Sequence, residues 1–192
     1  MIELYSYFIE NIYQFLGVLF SIIYVIFSIK QNVLCWLALF IASLLNMVAY
    51  NLINLPLQVS MQLFFIGTAF YGWHQWTYAK NNKTLKVSKW NTKQHVLWIS
   101  AGIFITVFLS IILQYFDISS NPILDSLMFT FNLIPMYMTG KKIIESWLYF
   151  IVIDVISGVF YLNSGEYFFS FLFFCYIGFA TYGFLTWKKD LV

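Results

Sequence analysis

Arginine is absent from this chain, and charged residues of any kind are scarce. Only 9% of the 192 residues are charged, whereas 61% are hydrophobic and 22% are aromatic. An ordinary soluble domain carries roughly 25% charged residues. A chain so poor in charge cannot cover itself with a polar surface, so we predict an integral membrane protein in contact with the lipid bilayer.

The motifs of several enzyme classes are also missing from the sequence. There is no glycine-rich phosphate loop, so the chain is not expected to be an ATPase. Neither His-Glu-x-x-His nor Gly-x-Ser-x-Gly occurs, which argues against an embedded hydrolase. No folded basic domain is available to bind nucleic acid. We therefore predict that the protein is not an enzyme and has no cofactor, no metal and no nucleic-acid partner.

Seven apolar runs are long enough to cross a membrane. A hydrocarbon core of about 30 Å needs roughly 20 apolar residues in a helix. The runs cover residues 12–29, 33–52, 56–78, 95–116, 122–139, 143–163 and 167–187. Their apolarity is continuous, whereas barrel strands would alternate. The predicted fold class is an all-α integral membrane protein with seven transmembrane helices.

Part of the chain is repeated. The pattern Ile-Gly-x-Ala-x-Tyr-Gly-x-x-x-Trp ends at Trp76 and occurs again ending at Trp187, and we call the interval between these two tryptophans the repeat offset. The same offset relates Trp36 to Trp147. One helix between two three-helix units keeps both units in the same orientation, which predicts a parallel three-plus-one-plus-three repeat. The single domain, residues 1–192, would comprise a first repeat at 12–79, a linker helix at 95–116 and a second repeat at 122–187.

The lysines predict the orientation of the chain. All ten follow odd-numbered spans, at positions 30, 80, 83, 86, 89, 93, 141, 142, 188 and 189. Lysine-rich loops stay on the cytoplasmic side, so we predict an external amino terminus and a cytoplasmic carboxy terminus in the cell (inner) membrane. The acidic residues Glu3, Glu10, Asp117 and Glu166 fall on the opposite side. We interpret the lysines from Lys80 to Lys93 as an anchor beside anionic lipid.

Asp154 is the one carboxylate deep inside a predicted span. Ionisable groups in the membrane usually face a cavity or a partner. Helical periodicity places it on one face with aromatic and hydroxyl side chains. This face consists of Trp147, Phe150, Asp154, Ser157 and Tyr161. The repeat offset matches it to a face of the second span with Trp36, Ser43, Asn46 and Tyr50. We expect the two faces to line one substrate site.

Further candidates come from the third and fifth spans. Gln62 and Trp73 fall on one face of the third span, together with Ala69 and Trp76. Asn132 lies in the fifth span near Pro135, where we expect a bend. Indole rings attract planar cations, and amides bind sugar hydroxyls. The pattern favours a ligand with a ring and a ribose, although the same side chains can also serve helix packing.

Two segments resemble motifs of the PnuC-type vitamin transporters. The run Tyr71-Gly72-Trp73-His74-Gln75-Trp76 is similar to the third-span motif of that family, and residues 141–161 are similar to its sixth-span signature. The resemblance implies uptake of nicotinamide riboside, with relatives that carry thiamine or riboflavin, on a fold like that of the small sugar transporters (SWEET-like). It also implies facilitated diffusion, trapping of the vitamin by a cytoplasmic kinase, and assembly as a homotrimer.

The chain departs from that family pattern at three positions. Ser146 stands where the family has asparagine, Phe150 where it has a second tryptophan, and Met136 where it commonly has glutamine. Each change removes a hydrogen-bonding or indole group. A thiamine or riboflavin transporter therefore remains an alternative. A small-sugar transporter also remains one because it could share this helix plan, and so does a scaffold without ligand. Because Asp154 has no intramembrane lysine beside it, we expect passive alternating access without ion coupling.

Overall fold

A computed structural model describes residues 12–52, 54–78, 85–119, 121–165 and 167–192. These residues form seven α-helices, as the sequence predicts, and one short 3₁₀ helix at Lys188–Asp190. The helices are α1 (Ile12–Ile29), α2 (Leu34–Leu52), α3 (Pro56–Thr77), α4 (Thr92–Tyr115), α5 (Pro122–Gly140), α6 (Ser146–Asn163) and α7 (Tyr167–Trp187). Five residues used to predict orientation lie outside the described ranges: Glu3, Glu10, Lys80, Lys83 and Glu166.

Five regions are both long and apolar enough to span a membrane: α1, α2, α4, α6 and residues Phe169–Asp190. Helices α3 and α5 have 22 and 19 residues, which is sufficient length, but they carry more polar side chains. Gln58 and Gln62 of α3 are both buried. A polar residue in a membrane helix turns away from lipid because burying it in hydrocarbon is costly.

Local sequence signals explain where several helices begin. Helices α3 and α5 start at Pro56 and Pro122, and proline suits a first turn because its missing N–H would be unpaired there. Helix α4 begins with a capping box in which Asn91 and Gln94 each accept the other's backbone N–H at 2.9 Å. Pro135, where a bend was predicted, lies inside α5 without ending the helix.

The chain folds into two compact units, the first ending at residue 84 and the second covering residues 85–192. In the first unit, α2 packs against both α1 and α3. In the second unit, α6 packs against both α5 and α7, and α4 packs against α5. The helix that we interpreted as a linker is therefore a packed part of the second unit.

The turns of the two units share a backbone conformation at positions related by the repeat offset. Gln31, between α1 and α2, has φ 53°, and Lys142, between α5 and α6, has φ 52°. In the next turn of each unit, Asn54 has φ 56° and Gly165 has φ 79°. A left-handed residue after a helix reverses the chain and ends the helix. The same two reversals thus occur in each unit.

A tryptophan packs directly on a glycine in both units. Trp36 of α2 covers Gly72 of α3, where a Cβ atom would lie 2.3 Å from the indole. Trp147 of α6 covers Gly183 of α7, where a Cβ atom would lie 2.8 Å from the indole. Only glycine allows this approach, because real Cβ atoms do not come so close to a ring.

Each of these indoles also meets a second tryptophan edge-on. The ring centroids of Trp36 and Trp76 are 5.2 Å apart at an interplanar angle of 85°, and those of Trp147 and Trp187 are 5.3 Å apart at 88°. Edge-to-face contact is a preferred geometry for aromatic pairs. The Trp–Gly–Trp contacts therefore join α2 to α3 and α6 to α7 in the same way.

We expect Gly183→Ala to destabilise the protein by about 1–3 kcal/mol, because the new methyl group overpacks the Trp147 ring. Gly178→Ala in the same helix is the matched control, since a Cβ atom there meets nothing within 4 Å. Thermal unfolding of both purified variants would measure the difference. Equal unfolding temperatures would show that the Trp–Gly contact does not constrain the helices.

Candidate functional site

One face of α6 carries four of the predicted site residues. Trp147, Asp154, Ser157 and Tyr161 are each at most 4% exposed, whereas Val155 on the other side of the helix is 44% exposed. At about 1.5 Å per residue the four side chains cover roughly 21 Å along the helix. The buried face of α6 thus presents polar and aromatic groups along most of its length.

Asp154 is a buried carboxylate with neither a hydrogen-bond nor a salt-bridge partner among the residues described. Burying a carboxylate in this way is costly unless something satisfies its oxygens. The described ranges contain no group of three His, Cys, Asp or Glu residues arranged to hold a metal. Ser43, which the repeat offset relates to Asp154, is likewise buried, and its hydroxyl has no partner within those ranges. Both groups can accept a ligand or water.

Trp147 lies at the start of α6, and neighbouring residues cover much of its ring. Gly183 and Trp187 of α7 cover it, and the half-buried Phe150 ring lies 6.4 Å away. The indole Nε1 is buried and has no acceptor in the described part of the chain, as is also true of Trp36. The geometry therefore offers an indole N–H donor to a ligand rather than an open ring for stacking.

Tyr161 lies at the other end of the α6 face. Its ring stacks on Phe173 at 5.4 Å and 7°, and meets Phe169 at 5.4 Å and 36°. The repeat offset relates these phenylalanines to Gln62 and Gln58 of α3, which are buried. The first unit thus has amides where the second has aromatic rings. Gln58 was not among the predicted site residues, although it lies four residues before Gln62 and so on the same helix face.

Asn46 and Tyr50 lie on α2 in the first unit. The Asn46 amide donates to Ser21 Oγ at 3.2 Å, and Ser21 donates to the Gly17 carbonyl at 2.8 Å. A Cβ atom at Gly17 would lie 2.1 Å from the Asn46 side chain, so the two helices are in close contact there. Asn46 therefore holds α1 against α2, and Tyr50 is buried nearby on α2.

Trp73 does not lie on the buried face of α3. It is 37% exposed, whereas Gln62, Ala69 and Trp76 are buried. The contact between α3 and α2 includes Gly72 and Trp76, both of which meet Trp36. Periodicity alone placed these residues on one face because it does not show which part of the face a neighbouring helix covers.

In α5 the predicted residue Asn132 is engaged with its own helix. Its amide donates to the Met128 carbonyl at 2.7 Å. Ser126 and Thr130 are more deeply buried, and neither hydroxyl has a partner within the described residues. Their spacing of four residues puts both hydroxyls on one side of α5. Ser126 was not among the predicted site residues, because a lone serine in a helix gives no distinctive pattern.

A family model for nicotinamide mononucleotide transporters matches residues 11–189. The chain belongs to this family. The nicotinamide riboside transporters PnuC of Escherichia coli (strain K12) and Shigella flexneri are both 23% identical to this member over 154 residues. The match covers 65% of this chain and 64% of each relative, so the chain spans less than two thirds of their length.

The fold of this family member is also found in a solved structure. The crystal structure of the vitamin B3 transporter PnuC matches with a TM-score of 0.78 and 15% sequence identity, over 97% of this chain and 84% of that chain. At this identity the match shows a shared fold. Family membership and the apolar helices together show a multi-pass membrane protein, as the composition predicted.

We expect Asp154→Asn to raise the free energy of unfolding by about 0.5–2 kcal/mol. A polar residue that is kept for function often lowers the stability of the protein, so replacing it stabilises the fold. The amide keeps the shape of the side chain without a carboxylate to desolvate. Asp125→Asn should have the opposite effect, since Asp125 accepts from Ser119 and lies in the first turn of α5. Thermal unfolding would measure both, and destabilisation by Asp154→Asn would contradict this account.

Proposed function

We propose that this protein transports nicotinamide riboside across the cell (inner) membrane. The observation that carries the proposal is the α6 face, a buried row of an indole, a carboxylate and two hydroxyls in a member of a transporter family. Nicotinamide riboside combines a cationic ring, a carboxamide and a ribose. These groups need an anion, a donor and several hydroxyl partners, and the α6 face carries all three kinds of group.

Each residue of this face has a proposed role. Asp154 faces the positive ring or accepts from ribose hydroxyls, in either case gaining the partner that it lacks within the described residues. Trp147 donates its indole N–H to an acceptor such as the carboxamide oxygen. Ser157 and Tyr161 bind ribose hydroxyls, and Phe150 supplies apolar surface.

Five other predicted residues have smaller parts in the proposal. Asn46 and Asn132 already use their amides in hydrogen bonds to Ser21 and Met128, so we assign them to keeping their helices in place. Trp73 is partly exposed, and we assign it to the margin of the site. In the first unit, Gln62 and Tyr50 are buried polar residues and stay candidates for binding ribose hydroxyls.

The proposed architecture is a parallel repeat of the kind found in small sugar transporters, with units at 12–79 and 122–187. The paired left-handed turns and the paired Trp–Gly contacts, all related by the same offset, support this plan. Proposed with it are an external amino terminus, a cytoplasmic carboxy terminus and assembly as a homotrimer. Transport would be passive, with a cytoplasmic kinase trapping the vitamin.

We expect Trp147→Ala and Asp154→Ala each to weaken nicotinamide riboside binding more than tenfold, about 1.4 kcal/mol. Each variant removes a polar group for which the described chain has no other partner. Val155→Ala, on the exposed side of the same helix, should leave affinity unchanged. Calorimetry on the purified proteins would measure all three. Unchanged affinity in both site variants would remove the α6 face from the binding site.

Thiamine is the second candidate substrate because Ser146, Phe150 and Met136 depart from the family pattern. Thiamine also has a flat cationic ring and a hydroxyl group, and it has fewer hydroxyl groups to bind than a ribose. Nicotinamide riboside, thiamine, riboflavin and glucose should therefore be compared on one preparation by competition calorimetry. Preferential binding of thiamine would change the substrate and leave the transporter assignment intact.

We expect counterflow of labelled nicotinamide riboside in proteoliposomes to continue after proton and sodium gradients are collapsed. The described spans contain no lysine beside Asp154 that would form a charge relay with it. Vesicles without protein give the background rate. A strict requirement for either gradient would replace facilitated diffusion with coupled transport.

A further inference from the structure

The segment that precedes α4 is bonded to the turn that precedes α6. The Ser88 N–H donates to the Lys142 carbonyl at 3.0 Å, and the Ile144 N–H donates to the Ser88 carbonyl at 3.0 Å. The neighbouring Val87 carbonyl accepts from the Val192 N–H at 3.2 Å. Two short parallel bridges thus fix this segment within the second unit. Val87 itself is almost completely buried.

A side chain extends this junction to the residue just before α6. The backbone N–H of Trp90 donates to Glu145 Oε2 at 3.3 Å. Glu145 is the N-cap residue of α6, yet its side chain caps no N–H of its own helix. Its negative charge is favourable at a helix amino terminus. The carboxylate therefore joins the start of α6 to the residue that precedes the capping box of α4.

A second contact holds the same turn of α6. Tyr149 is four residues after Glu145 and so lies on the same side of the helix. Its hydroxyl is 2.9 Å from His95 Nδ1, and the two rings stack at 5.8 Å and 17°. Trp90 meets the His95 ring edge-on at 5.6 Å. The start of α6 thus has two contacts on this side, one from Trp90 just before α4 and one from His95 of α4.

Trp147 lies between these two positions in sequence and therefore projects from the opposite side of the turn. There it packs on Gly183 and against Trp187 of α7. The start of α6 is accordingly held by Trp90 and His95 on one side and by α7 on the other. A shift of the α4 side would move the backbone that carries the Trp147 indole.

We propose that Glu145 is a positioning residue for Trp147: by accepting the Trp90 N–H, its carboxylate fixes the first turn of α6 and with it the direction of the indole N–H. Glu145 does not itself contact the substrate in this proposal. Its effect on substrate affinity rests on the proposed function of Trp147. Its effect on the placement of the indole rests only on the contacts within the second unit.

The test compares Glu145→Ala with Glu145→Gln in the full-length protein, labelled with fluorotryptophan and reconstituted in lipid nanodiscs. The Trp147 fluorine resonance is assigned from its disappearance in Trp147→Phe. Glu145→Ala should shift or broaden that resonance and weaken nicotinamide riboside binding roughly three- to tenfold, since a hydrogen bond to a charged group is lost. Glu145→Gln should restore both, because its amide oxygen still accepts the Trp90 N–H.

Gln94→Ala is the control, because it breaks the capping box of α4 without removing the Glu145 contact. It should leave the Trp147 resonance in place. An unchanged Trp147 resonance in Glu145→Ala, or a failure of Glu145→Gln to restore it, would overturn the positioning role. Absence of nicotinamide riboside binding to the unmodified protein would instead overturn the proposed function, and the fluorine spectra, which need no ligand, would still test Glu145.

Discussion

Hydrocarbon gives a polar side chain no hydrogen-bond partner, and this constraint governs the structure. Asn46 and Asn132 satisfy it through bonds to a neighbouring helix and to their own helix. Asp154, the Trp147 indole and the Ser126 hydroxyl do not satisfy it within the described residues. The polar groups named here therefore differ: some hold helices together and others remain available to a polar ligand.

Apolar length and periodicity predicted the helices well because the membrane imposes both on the sequence. The differences occur where other forces act. Helix α4 begins at Thr92 rather than at 95, since a capping box allows polar residues to form its first turn. Helix α6 begins at Ser146 rather than at 143, because apolar Ile143 pairs with Ser88 and follows a left-handed residue. Hydropathy does not detect either effect.

The candidate site was predictable to the extent that it follows a single helix. The spacing of Trp147, Asp154, Ser157 and Tyr161 is enough to place them on one face of α6. What covers a helix face depends on other helices, so neither the exposure of Trp73 on α3 nor the packing of Trp147 on Gly183 was predictable. The contact between Trp90 and Glu145 joins residues 55 positions apart and leaves no local pattern at all.

The packing of tryptophan on glycine also constrains how this sequence can change. A side chain at Gly72 or Gly183 would overpack the opposing indole unless that ring became smaller, because the two occupy one volume. The large and the small partner of each pair should therefore vary together among related chains. Since the arrangement occurs in both units, a compensated exchange in one unit would leave the pair in the other unit unchanged.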